Sequence, residues 1–410
     1  MLSAQKMEKF AELAVTIGAN MQKGQEVVIR CDVNCQDFAH IIAKKAYELG
    51  AKQVLMQWRD EQLSRMSMLY ADTETLCDIP DYSIQQLQYF IDHKCCLISI
   101  SAGDPNIYKG CDAEKLAKVN VASSKAMAEF RKATMSNYLR WTIVSVPTAG
   151  WAKQVFPDDP VEVAIDKMWD SIASIMRLNE ADPVEAWRKH IATLHRRADF
   201  LNAHNFKYLH LTSANGTDLK VGLAKDHLWL AAEEEGQDGL KFTANMPTEE
   251  IFTAPHKDHV DGIVKNALPL VNNGNIIDNF SITFKDGKVT DFTAEKGYDA
   301  LKGLLSTDEG VLHLGEIALL GKNSPIAQSG ILFYNTLFDE NASCHLAFGK
   351  AYPTTVRNGN DKTKEELAEM GVNDSLQHVD FMVGTKDINI KGVQYDGTET
   401  VLFEDGEWVI

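Results

Sequence analysis

Residues 3–22 place apolar side chains at helical spacing, and after Gly24 the run Val27-Val28-Ile29 reads as a short strand. Helical spacing returns over 36–49, and Gln53-Val54-Leu55-Met56 follows as the next strand. Cys96-Leu97-Ile98-Ser99-Ile100 and Trp141-Thr142-Ile143-Val144-Ser145-Val146 then read as buried strands on either side of a helical pattern near 113–135. Strands that are apolar without alternation, separated by helices, predict an α/β domain whose mostly parallel sheet is covered on both faces.

The pattern changes after residues 159–205, where two helical stretches are broken at Asp182-Pro183 and the second is rich in Arg, Lys and His. Beyond it lie short strands and tight turns: Tyr208–Leu211 with Leu219–Val221, then Ile282–Phe284 and Val289–Phe292 joined across Asp286-Gly287. Asp396-Gly397 and Asp405-Gly406 repeat the signal near the C-terminus. We therefore expect two domains, an N-terminal α/β domain over 1–190 and a β-rich α+β domain over 191–410.

Charge adds a functional constraint. The net charge of −17 falls almost wholly on residues 201–410, which hold 17 Lys and Arg against 32 Asp and Glu, whereas residues 1–200 hold 24 against 26. Such a field repels nucleic acid and anionic lipid and favours metal ions or ligands bearing an amine. The seven cysteines form no CxxC pair, so Cys31-x3-Cys35 reads as two small buried side chains; with no signal-like N-terminus, the sequence predicts a reduced, cytoplasmic protein. No apolar stretch approaches the length of a bilayer span.

No GxGxxG follows a strand, and GxxxxGK[ST], GxSxG and HExxH are absent. The residues that carry chemistry instead lie in four C-terminal segments. In Asn245–Thr253 a proline precedes Glu249 and Glu250, which point to opposite faces if the run is extended; either one, or an exposed acidic turn, fits the pattern. Glu316 stands directly before the apolar run Ile317–Leu320, where a buried carboxylate needs a cation, and no arginine occurs between Arg197 and Arg357. In Glu340–Gly349 the candidate is His345, for which a hydrogen-bonded core histidine is the plainer reading; Tyr352 follows. His378-Val379-Asp380 is stronger, because on a strand it puts imidazole and carboxylate on one face. A rival His-x-Asp lies in Pro255–Asp261, but its lysine and proline read as a solvated loop, and Glu233–Glu235 as an exposed acidic turn. Two Glu, two His and one Asp exceed the needs of one tetrahedral ion, and the count fits two divalent ions held by oxygen and nitrogen, suited to Zn, Co or Mn.

Met246-Pro247-Thr248-Glu249-Glu250-Ile251-Phe252-Thr253, Leu314–Leu319, Glu340–Gly349 and His378–Met382 resemble the thermophilic aminopeptidase family that includes aminopeptidases T and S and streptococcal PepS. The resemblance implies a dimetal exopeptidase with ligands at Glu250, Glu316, His345, Tyr352, His378 and Asp380; the choice of Glu250 over Glu249 and the role of Tyr352 rest on it. It further implies a homodimer acting on short peptides with a free N-terminus, and leaves the general base unassigned. Another dimetal hydrolase, of amides, esters or phosphates, and a noncatalytic peptide-binding scaffold are the competing readings; scarce arginine near the ligand segments disfavours phosphate.

Overall fold

The computed structural model describes residues 2–272 and 275–410. The chain divides into two compact units, one of Met1–His190 with Glu233–Pro247 and the other of Ile191–Ala232 with Thr248–Ile410. The division expected at 190/191 therefore gains an excursion. Residues 233–247 return to the first unit because its edge strand has an open side: Asn245 bridges Ile143 in parallel, and the Met246 N–H donates to Ile143 O at 3.0 Å.

The first unit is built on four parallel strands, β1 (Glu26–Asp32), β2 (Gln53–Arg59), β3 (Cys96–Ile100) and β4 (Trp141–Val144), in the order β2-β1-β3-β4. Val27, Val28 and Ile29 are buried in succession, as a strand covered on both faces requires. The helical stretch expected near 113–135 is two helices, Ala113–Ala126 and Ala128–Met135, and helices also fill 61–92. Cys31 and Cys35 are buried free thiols, which burial pushes up to about 11 and about 12.

In the second unit the parallel arrangement gives way to antiparallel pairing. One sheet has nine strands; the other has five, ordered His378–Met382, His345–Gly349, Leu314–Leu319, Ile251–Thr253, Leu230–Ala231. The turn expected at Asp286-Gly287 joins Asn275–Lys285 to Lys288–Lys296 with φ of 50° and 80°, the left-handed pair that a tight hairpin demands. Pro255–Asp261, expected as a solvated loop, lies in the strand Pro255–Lys265, which pairs with Asp218–Leu223 and Asn275–Lys285. Its pairing breaks between Pro255 and Val260, and this bulge is why the local sequence lacks strand alternation.

Both sheets contribute to one apolar core that includes Ile317, Leu319, Leu346, Phe348, Phe381 and Phe280. Phe348 stacks on Phe381 with centroids 4.3 Å apart, and each such side chain gains about 1.5–3 kcal/mol from burial. This packing uses one face of the three strands centred on His345–Gly349. Among the described residues, no helix is long and apolar enough to cross a membrane.

Candidate metal centre

Strand alternation dictates what the other face carries. With Leu346 and Phe348 in the core, His345, Ala347 and Gly349 point away from it, and so do His378 and Asp380 on one side and Glu316 on the other. Register then aligns them: Glu316 pairs with Ala347 and Ala347 with Asp380, while Gly349 pairs with His378. Gly315 permits the bulge that precedes Glu316, since a Cβ there would lie 2.3 Å from Lys350 O.

Glu250 enters just ahead of the strand Ile251–Thr253, and the structure separates it from Glu249. The Glu249 N–H donates to Asn341 Oδ1 at 2.7 Å, and its carboxylate lies in the field of the Arg197 guanidinium. Glu250 Oε2 instead stands 3.3 Å from His345 Nε2, and Glu316 Oε1 lies 3.4 Å from the same nitrogen. On the far side His378 Nε2 is 3.4 Å from Asp380 Oδ1 and 3.8 Å from Glu316 Oε2. Glu250, Glu316 and His345 form one group whose potential donor atoms all lie within 4.8 Å, and Glu316, His378 and Asp380 form another. Glu316 is common to both.

Both imidazoles are oriented by main-chain carbonyls. His378 Nδ1–H donates to Lys350 O at 2.6 Å and His345 Nδ1–H to Ser343 O at 3.2 Å, so each Nε2 faces the carboxylates. Tyr352 packs on His378, ring centroids 4.9 Å apart. Burial and the neighbouring Glu316 push its hydroxyl well above the ordinary phenol range. The rival His256 and His259 lie elsewhere and pack on each other at 4.1 Å.

The electrostatics show what the site lacks. Burial, aided by Asp380 and Glu250, raises Glu316 above the ordinary carboxylate range in spite of its bond to His345. Burial opposes charge on His345, yet hydrogen bonds to Glu250 and Glu316 hold it well above the ordinary imidazole range. His378 is likewise held at about 9 by Asp380 against its own burial, and that same bond lowers Asp380. Glu340, in the turn Glu340–Ala342, was not among the sequence candidates; only His345 was weighed in that segment. Burial and the charges of Glu250 and Asp380 raise it well above its usual value.

Four carboxylates thus converge on two imidazoles, and among the described residues the ion pairs of this cluster reach no lysine or arginine. Asp380 Oδ1 is buried, and its ion pair with His378 Nε2 at 3.4 Å falls short of hydrogen-bond geometry. Oxygen and imidazole donors around a surplus of buried negative charge fit divalent cations. Glu250, Glu316, His345, His378 and Asp380 are residues able to hold them, and Tyr352 packs on His378 beside them.

The comparisons agree with this chemistry. The thermophilic metalloprotease (M29) family model matches residues 3–408. Aminopeptidase 2 of Geobacillus stearothermophilus is 45% identical over 403 residues, covering 98% of this chain and 97% of that protein. Aminopeptidase AmpS of Bacillus subtilis is 43% identical over 405 residues, covering 99% and 98%. The solved structure of wild-type AmpT from Thermus thermophilus is 36% identical, covers 99% of each chain and has a TM-score of 0.93. By its matched length, its relatives and its fold, this chain belongs to the thermophilic metalloprotease family, M29.

Proposed function

We propose that this metallopeptidase is an aminopeptidase that releases single N-terminal residues from short peptides and uses two divalent ions, Zn, Co or Mn. The observation that carries the reading is Glu316 shared by two donor groups. One ion is assigned to Glu250, Glu316 and His345, the other to Glu316, His378 and Asp380, with Tyr352 beside His378. Bound there, divalent ions supply Lewis acidity toward the peptide carbonyl and lower the pKa of water.

The chain's own groups do the rest. The main-chain carbonyls of Lys350 and Ser343 fix the two imidazoles. Glu340 faces the same centre without belonging to either donor group, and burial makes its carboxylate a better proton acceptor than an exposed one. We assign it as the general base, taking a proton from the attacking water and returning it to the leaving amine. The acidic surroundings receive the substrate's α-ammonium, and the Tyr352 hydroxyl, which burial keeps protonated, is assigned as a donor to the oxyanion. The homodimer and cytoplasmic location belong to the same reading, supported by exposed Leu63, Met66 and Leu69 on the helix Glu61–Tyr70 and by the free thiols.

An aminopeptidase measures its cut from a charged chain end. Acetylating the N-terminus of a short peptide removes that charge and adds bulk, and is expected to lower kcat/KM by about a hundredfold, or about 2.7 kcal/mol. Mass analysis of products from the free and acetylated forms of one peptide checks this. Internal cleavage, or equal rates for both forms, would leave a metal-dependent hydrolase but not an aminopeptidase.

A further inference from the structure

The two donor groups leave one residue of the site unexplained. Ala347 lies between Glu316 and Asp380 in register, is fully buried, and stands on the donor face rather than in the apolar core. Glu316 and Asp380 are therefore two strand spacings apart, about 9.5 Å at the Cα level. Their donor atoms nonetheless lie within 4.8 Å of each other. The two side chains therefore reach toward each other across the intervening strand, on which Ala347 is the residue in register with both.

We propose that Ala347 is a size-limited positioning residue for the metal centre, its small side chain being the condition that lets Glu316 serve both donor groups at once. This inference rests on the dimetal reading above. The neighbours on the same strand support it by contrast: Leu346 and Phe348, which point the other way, are large, and Gly349, opposite His378, is smaller still. A β-branched or longer side chain at 347 suits a strand. In this protein it would occupy the space above the sheet and hold the two carboxylates apart, which separates the metal site from the fold.

The test is a size series at one position in the full-length protein: Ala347→Gly, Ala347→Ser, Ala347→Val and Ala347→Leu. Zinc affinity and ions per chain are measured on each after chelation and reloading, alongside melting with and without chelator. Glycine and serine are expected to bind as the parent does, and leucine to weaken zinc by about a hundredfold or more. The leucine variant should melt near the parent when both are metal-free, yet gain little from added zinc. If leucine misfolds, valine decides by the same readouts. Parent-like zinc affinity and stoichiometry in a folded valine or leucine variant overturns the inference, while the parent's own zinc binding still stands. A parent chain that binds no divalent ion overturns the dimetal reading itself, whatever the variants do.

Discussion

Replacing Glu316 by glutamine is expected to lower turnover by on the order of a thousandfold, about 4 kcal/mol of barrier, and to empty both metal positions. Glutamine keeps the shape of the side chain but removes the charge that both donor groups share. Glu250→Gln touches one group only and should leave the other able to bind. Stability should move the opposite way. A carboxylate whose folded pKa is raised is penalised when ionised, so above its unfolded pKa the buried Glu316 costs the metal-free fold stability. Metal-free Glu316→Gln should therefore melt no lower than the metal-free parent at neutral pH, although it is inactive. Metal analysis, turnover and melting under chelation check the three parts, and a variant that keeps both ions and its activity would remove Glu316 from the centre.

Glu340→Gln should show the complementary pattern, with kcat falling by roughly 10²–10⁴-fold while metal content is kept. The reasoning is positional. Glu340 responds to the charges of Glu250, Asp380, His345 and Glu316, yet it belongs to neither donor group. The adjoining Asn341 anchors its turn: fully buried, it donates to Leu337 O at 3.0 Å and accepts the Glu249 N–H. The same amide thus ties the turn bearing Glu340 to the segment bearing Glu250. If Glu340→Gln lost an ion, the residue would be a ligand; if kcat stayed at the parent value, it would have no part in proton transfer.

These residues differ in how far local sequence announced them. His378 and Asp380 were the most legible, because strand alternation alone places them together, and the structure has them on one strand with Val379 packed against the core. Glu316 was legible as a buried charge needing a cation. The difference between Glu249 and Glu250 was not, since Asn341 and Arg197, the groups beside Glu249, are distant in sequence. Tyr352 and Glu340 lie in short turns without periodicity, and only their surroundings give them meaning. Ala347 carries no chemical signal, for the role proposed for it comes from register across three strands.

At the level of the fold, the change from buried parallel strands to antiparallel hairpins was plain in the pattern. Two features were hidden. The return of residues 233–247 to the first unit depends on the open edge of β4. The strand Pro255–Lys265 is interrupted by a bulge that mimics a loop.

Chelation and stepwise reloading decide whether this chain cleaves peptides from the N-terminus with ions held at the Glu316 centre. The metal-free protein should be folded and inactive on a free-amine peptide. Activity should return on adding Zn, Co or Mn, without refolding, and rise until two ions are bound per chain. Full activity in protein verified to be metal-free would mean that no ion at the Glu316 centre takes part in cleavage.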